Sequence, residues 1–134
     1  MSNQELVFLS AANLASEIKN KQISPVEAVE AYLDRINHVD PKLNAYITVL
    51  ADKALEAAHQ SESDITSGVN KGSLHGVPVA VKDQIYTKGI RTSSASKIRS
   101  GFVPDFDATV VNGLKRSGAI ILGKLNMTEF AMGD

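Results

Sequence analysis

Cysteine and tryptophan are both missing from this sequence, and aromatic residues make up only 5% of it. Without cysteine, neither a disulfide framework nor a zinc–thiolate site can form. No basic cluster is present and the formal net charge is −1, which argues against direct binding to nucleic acid or to an anionic membrane. Long apolar runs are also missing, and no basic segment typical of a signal peptide follows Met1. We therefore expect a cytoplasmic protein.

Metal and nucleotide sites have little support in the sequence. The histidines at positions 38, 59 and 75 lie at no spacing typical of metal ligands. Residues 118–124 match the spacing of a phosphate-binding loop, but Leu125 stands where the magnesium-binding hydroxyl is needed, and the spacer residues favour a strand. We predict neither a metal nor a cofactor.

What remains is an ordinary globular composition, with 43% hydrophobic and 22% charged residues in 134 positions, about the size of one domain. Segment 1–67 is predicted to be helical. One helix begins after Ser10, and a second begins at the capping box Ser24-Pro25-Val26-Glu27 and is expected to end at Asp40-Pro41. A third is expected over about 50–62.

Segment 68–134 alternates between strand and helix, and we predict that it starts the α/β core of the same single domain. Val77–Val81 is predicted to be a strand buried on both faces. A helix capped by Asp107 and stopped by Gly118 leads to a second buried strand, Ile120–Leu122. Such a unit gives parallel strands, so the fold class is α/β, with the N-terminal helices packed on a mixed, partly parallel sheet.

The first of these strands ends on Lys82, followed directly by Asp83. Desolvation at the rim of the core would favour the neutral amine and make this lysine a usable base. A lone lysine at a strand end is also commonly a solvated cap. The residues considered so far leave both interpretations open.

Six phrases in a fixed order decide between these interpretations. They are residues 24–29 (SPVEAV), 40–46 (DPKLNAY), 74–83 (LHGVPVAVKD), 101–105 (GFVPD), 107–111 (DATVV) and 118–133 (GAIILGKLNMTEFAMG). Together they closely resemble the amidase signature family, the serine hydrolases that include bacterial amidases and the A subunit of the glutamyl-tRNA(Gln) amidotransferase. The resemblance covers nearly the whole chain. One small departure is Gln84, where relatives often carry asparagine.

The resemblance implies an incomplete amidase signature fold and hydrolysis of amide carbon–nitrogen bonds by a Ser–cis-Ser–Lys triad. Lys82 matches the lysine of that triad, which acts as a general base in its neutral form. It takes a proton from the nucleophilic serine through the bridging serine, and an acyl-enzyme forms. Phe130, Ala131 and Met132, in a short helix expected from about Met127, match residues that line the substrate pocket, although such helix residues could also be plain core.

The triad's serines have no match in this sequence. The family's Gly/Ser-rich segment is expected beyond Asp134, and Ser93, Ser94 and Ser96 lie in no such pattern. We therefore expect the N-terminal portion of an enzyme acting on a small-molecule amide. The alternatives are the amidotransferase A subunit, which would need its other subunits, and a non-catalytic remnant that pairs with a complementary chain.

Overall fold

Helices and a three-stranded mixed sheet make up the fold, as described by a computed structural model for residues 2–133. The predicted α/β class is confirmed. In chain order the elements are α1 (Asn3–Leu6), α2 (Ala11–Lys19), α3 (Pro25–Leu43), β1 (Tyr46–Val49), α4 (Ala51–Thr66), β2 (Pro78–Lys82), α5 (Thr109–Arg116) and β3 (Ile120–Leu125), with 3₁₀ turns at Lys97–Arg99 and Glu129–Ala131.

The two predicted helix starts are confirmed by their capping contacts. The Ser10 hydroxyl accepts a hydrogen bond from the backbone N–H of Asn13 at 3.1 Å. At the start of α3, the Ser24 hydroxyl accepts from the N–H of Glu27 at 3.0 Å, and the Glu27 carboxylate accepts from the N–H of Ser24 at 2.8 Å. Each cap satisfies donors that the first helical turn leaves unpaired, which is worth about 1 kcal/mol.

The predicted end of the second helix at Asp40-Pro41 is wrong, because α3 continues through Pro41 to Leu43. The chain turns only at Asn44, whose φ of 52° is left-handed and whose N–H donates to the Asp40 carbonyl. The Asp40 carboxylate then accepts from the N–H of Ala45 at 2.7 Å. These contacts set the helix end, since the proline falls in a last turn that it does not break.

Strand β3 lies at the centre of the sheet, parallel to β2 and antiparallel to β1. The predicted β2–α5–β3 unit with parallel strands is therefore confirmed, whereas β1 was not predicted. Strand β2 is less buried than expected: Val77, just before it, and Val81 are buried, but residues 78–80 are half-buried. The expectation of burial on both faces is wrong.

Asp107 does not cap α5, contrary to the prediction. The helix begins after Ala108 without a side-chain cap. Asp107 instead accepts from the N–H of Lys88 at 2.7 Å and from the Lys115 ammonium at 2.7 Å, so tertiary partners occupy its carboxylate. Gly118 does end the helical segment, with a φ of 82°.

The core has two parts, one on each side of α3. Leu14, Ile18 and Ala28 pack with Val77 between α2, α3 and the start of β2. The second part joins α3 and α4 to β3, and its buried residues are Val29, Leu33, Ile36, Ala54, Ala58, Ile120 and Leu122. No helix in residues 2–133 is long and apolar enough to cross a membrane.

Candidate active site

Lys82 lies at the C-terminal end of β2, and its ammonium donates a hydrogen bond to the Asn126 main-chain carbonyl at 2.8 Å. Asn126 directly follows β3 and is itself fixed. Its N–H donates to the Ala45 carbonyl at 2.7 Å, and its side-chain amide donates to the Asn44 carbonyl at 3.1 Å. The amine of Lys82 is therefore directed toward the turn that joins α3 to β1.

The side chain of Lys82 is exposed in the structure. Residues 2–133 therefore do not provide the desolvation that was expected to favour its neutral form. The amine of Lys82 is therefore held in place by its position at the strand end and by the hydrogen bond to Asn126, but it stays exposed.

Asp83, the next residue, is fully buried at 0% exposure. One of its carboxylate oxygens accepts from the backbone N–H of Ser93 at 2.9 Å and from the Ser93 hydroxyl at 2.5 Å. Its main-chain carbonyl accepts from the N–H of Ser94 at 3.2 Å. The loop at residues 93–94 is thus tied to the end of β2, directly beside Lys82.

Two short segments with left-handed backbone meet at this loop. Ser94 and Ala95 have φ of 54° and 53°, and Phe130 and Ala131 have φ of 51° and 57°. The N–H of Phe130 donates to the Ser94 carbonyl at 3.0 Å, which joins the segments. Left-handed conformations cost free energy in residues other than glycine and cluster at functional sites.

The three residues matched to the substrate pocket lie on the surface of the described chain. The short helix expected from about Met127 is a single turn, Glu129–Ala131, in which Phe130 and Ala131 have the left-handed angles given above. Phe130 is 43% exposed and Met132 82% exposed, so the alternative of plain core residues does not hold for them in residues 2–133. Phe130 lies on an open groove of about 590 Å³ that Gln84, Ile85, Tyr86, Ser94, Arg99, Phe106, Ala108 and Val110 also line.

Two of the three buried serines near Lys82 already use their hydroxyls in side-chain contacts. The Ser93 hydroxyl donates to Asp83, and the Ser96 hydroxyl donates to the Glu129 carboxylate at 2.6 Å. Both serines are buried. These two contacts are structural, and the statement that none of Ser93, Ser94 and Ser96 replaces the serines of a triad stays a prediction.

Lys124 is a second lysine at a strand end, and its burial was not predicted from the sequence. It is fully buried at 0% exposure, and its ammonium donates to the Ile85 carbonyl at 2.7 Å and to the Thr92 hydroxyl at 2.8 Å. Burial lowers the pKa of Lys124 to about 8, and the charge of Asp83 opposes this shift. The available signal was that each strand of the parallel pair has a lysine as its last or next-to-last residue.

His75 is buried beside Gly118, and burial lowers its pKa, an effect that the Lys71 charge reinforces and the Asp64 charge opposes. Its Nε2 lies 3.9 Å from the Asp64 carboxylate. Within residues 2–133, no group of three or more histidine and carboxylate side chains is arranged to hold a metal ion.

Comparisons with known proteins agree on one family. A family model described as Amidase matches residues 27–134. The glutamyl-tRNA(Gln) amidotransferase subunits A of Carboxydothermus hydrogenoformans and Geobacter metallireducens are 48% and 52% identical to this chain over 130 residues, 97% of its length. The native peptide amidase of Stenotrophomonas maltophilia superimposes with a TM-score of 0.85 at 34% identity over 92% of the chain. This chain spans about a quarter of each protein, 27% of the two subunits and 26% of the amidase.

Proposed function

Because this chain belongs to the amidase family, we propose that it is the N-terminal portion of an enzyme that hydrolyses the carbon–nitrogen bond of an amide. The observation that carries this proposal is the place of Lys82. It lies within the matched region, at the end of a strand that neighbours the central strand, with its amine directed by the Asn126 carbonyl.

In the proposed reaction, Lys82 acts as the general base. Its neutral amine takes a proton from the nucleophilic serine through the bridging serine, and the serine oxygen attacks the amide carbon. The tetrahedral intermediate then expels the amine, which receives that proton, and water hydrolyses the acyl-enzyme. Both serines come from residues beyond position 134 in this proposal.

The substrate is proposed to lie along the groove that contains Phe130. The ring of Phe130 supplies apolar surface there, and its backbone is fixed to Ser94, beside the residue pair Lys82-Asp83. Ala131 and Met132 follow on the same exposed segment and are proposed to contact the substrate as well. No cofactor takes part in this chemistry, and the cytoplasmic location stays a prediction.

A second candidate is the A subunit of a glutamyl-tRNA(Gln) amidotransferase. The observation that favours it is the 48–52% identity to two such subunits, compared with 34% to the peptide amidase. In this case glutamine would be the amide that is hydrolysed, and the other amidotransferase subunits would be the partners.

A chimaera tests both candidates. Residues 1–134 are joined to the remaining part of the Geobacter metallireducens subunit, and ammonia release is measured with glutamine and with a peptide amide. Release that Lys82→Ala abolishes and Lys115→Ala preserves supports the proposal, and dependence on glutamine together with the other subunits favours the second candidate. A folded chimaera without release, or with release that Lys82→Ala leaves unchanged, contradicts both and favours the non-catalytic remnant.

A further inference from the structure

Two opposite charges are buried at adjacent strand ends, Asp83 after β2 and Lys124 near the end of β3. Both are 0% exposed. Charged side chains are rarely buried completely unless they are paired or hydrogen-bonded. Neither residue takes a direct part in the proposed reaction, so their burial needs another explanation.

The contacts of these charges supply it, because they bind two consecutive residues of one loop. The Lys124 ammonium donates to the Thr92 hydroxyl, and the Asp83 carboxylate accepts from both the N–H and the hydroxyl of Ser93. The Thr92 hydroxyl donates in turn to the Ile90 carbonyl at 3.0 Å, so its proton is also used. We call Asp83, Thr92, Ser93 and Lys124 the buried clasp.

The charges of the clasp also interact with each other. Asp83 opposes the lowering of the Lys124 pKa that burial causes, which means that the carboxylate stabilises the ammonium. One carboxylate oxygen of Asp83 has no hydrogen-bond partner within residues 2–133. Within residues 2–133, the side chain of Asp83 is thus held by its two hydrogen bonds from Ser93, and its charge acts on Lys124 without a direct hydrogen bond.

The clasp reaches Lys82 through the backbone. The N–H of Asp83 donates to the Leu125 carbonyl at 3.0 Å, and the Lys82 carbonyl accepts from the N–H of Ile85 at 2.9 Å. The Ile85 carbonyl is the second acceptor of the Lys124 ammonium. The carbonyl and the N–H of the Lys82–Asp83 peptide bond are thus both hydrogen-bonded, the carbonyl to Ile85, which Lys124 also binds, and the N–H to Leu125, which follows Lys124.

We propose that Asp83 and Lys124 are positioning residues, whose buried charges hold the loop at residues 92–93 against the sheet and thereby fix the direction of Lys82. They touch no reacting atom and act through Lys82. The catalytic value of this arrangement rests on the proposed function, whereas the positioning itself does not.

A double-mutant cycle on the 134-residue chain tests the charge coupling. At pH 7, Asp83→Asn leaves the buried Lys124 charge without its counterpart, and Lys124→Met removes the hydrogen bonds to Ile85 and Thr92 as well as the charge. Each change alone is expected to lower the melting temperature by about 10 °C or more. The double variant is expected to lose clearly less than the sum of the two losses. Folding of the double variant where a single variant fails to fold supports the proposal in the same way.

The pair Asp107 and Lys115, at 2.7 Å, is the control, because the Lys115 side chain is 44% exposed and that of Asp107 is half-buried, whereas both charges of the clasp are fully buried. Asp107→Asn and Lys115→Met are expected to change the melting temperature by no more than about 4 °C each, with little coupling. Strictly additive losses at Asp83 and Lys124, or a double variant that is no more stable than the worse single variant, would overturn the coupling.

The positioning of Lys82 needs a separate measurement. Thr92→Val removes the hydroxyl that Lys124 binds and preserves the side-chain shape and both charges. In NMR spectra of the chain with carbon-13-labelled lysine, we expect the side-chain signals of Lys82 to shift in Thr92→Val and to stay in place in the control Thr109→Val, which changes an exposed threonine. Unchanged Lys82 signals in a folded Thr92→Val variant would overturn the positioning.

The two proposals can fail separately. The NMR measurement requires no turnover, so an inactive chimaera contradicts the proposed function and leaves the clasp intact. An active chimaera combined with unmoved Lys82 signals contradicts only the positioning.

Discussion

Lys82 and Lys124 lie on adjacent parallel strands, one residue out of register, so that Lys82 pairs with Leu125 and Lys124 pairs with Val81. Because successive side chains of a strand point to opposite faces, the two lysines leave the sheet on opposite sides. One ammonium is exposed and the other is fully buried. The same residue type at the same end of the sheet therefore meets two different environments.

Replacement of Lys82 separates stability from activity. Because the side chain is exposed, Lys82→Ala is expected to change the free energy of unfolding by no more than about 0.5 kcal/mol. Because Lys82 is the proposed general base, Lys82→Ala should also lower the rate of amide hydrolysis by the chimaera by a factor of about 10² to 10⁴. Urea unfolding and an ammonia assay measure the two effects. A large loss of stability would show that Lys82 is mainly structural.

The 134-residue polypeptide by itself is expected to release no ammonia from glutamine or from simple amides. Ser93 and Ser96, two of the three buried serines near Lys82, already donate to Asp83 and Glu129, and Ser94 lies in no Gly/Ser-rich segment of the kind that carries the family's serines. A coupled ammonia assay with purified chain checks this. Release that disappears in Lys82→Ala would contradict the expectation.

The stability of the chain should rise with pH above neutrality because of Lys124. Its pKa is lowered from 10.5 to about 8 in the folded chain, so between these values the unfolded chain binds more protons than the folded one. Stability then increases with pH across this window, by up to roughly 3 kcal/mol. Below pH 8, Lys124 is charged in the folded chain, and the free-energy cost of burying this charge lowers the stability in full.

Urea unfolding between about pH 7.5 and pH 9.5 measures this effect. The upper limit avoids Tyr32 and Tyr46, whose pKa values are raised by burial from the usual value of 10.0, so that their ionisation would lower stability at higher pH. In Lys124→Met the rise should be absent, and Lys115→Met should retain it. An identical slope in all three proteins would assign the effect to other groups.

Gly118 and Gly113 form a matched pair for the turn that follows α5. A Cβ at Gly118 would lie 2.7 Å from the Cα of His75, at a φ of 82°. Gly118→Ala is therefore expected to cost about 2–4 kcal/mol of stability. Gly113 lies in the helix, where an added Cβ would meet no atom within 4 Å, and Gly113→Ala should gain about 0.5–1 kcal/mol. Thermal unfolding of both variants checks the opposite signs.

Features that depend on a few neighbouring residues could be predicted from the sequence. The capping box of Ser24 and Glu27 needs only one helical turn, and the parallel β2–α5–β3 unit follows from alternation of strand and helix. Asp107 has the right residue type for a helix cap, but its partners are Lys88 and Lys115. Neither of these two partners lies close enough to Asp107 in the sequence to be predicted from it.

The environment of each lysine could not be predicted in the same way. The burial of Lys124 depends on Thr92, which is 32 residues away in the sequence, and on the register of two strands. Strand β1 spans only four residues, too few to show a clear alternation. The family resemblance selected Lys82, whose role stays a prediction, and no motif indicated that Lys124 is buried.

Asn126 connects Lys82 to the helical part of the sequence. Its backbone and side chain bind the carbonyls of Ala45 and Asn44, and its own carbonyl binds Lys82. The position of the Lys82 amine thus depends, through Asn126, on the turn at the end of α3, in the helical part of the sequence. Shortening or rebuilding that turn would move the point to which the amine is anchored, although almost forty residues separate the two along the polypeptide.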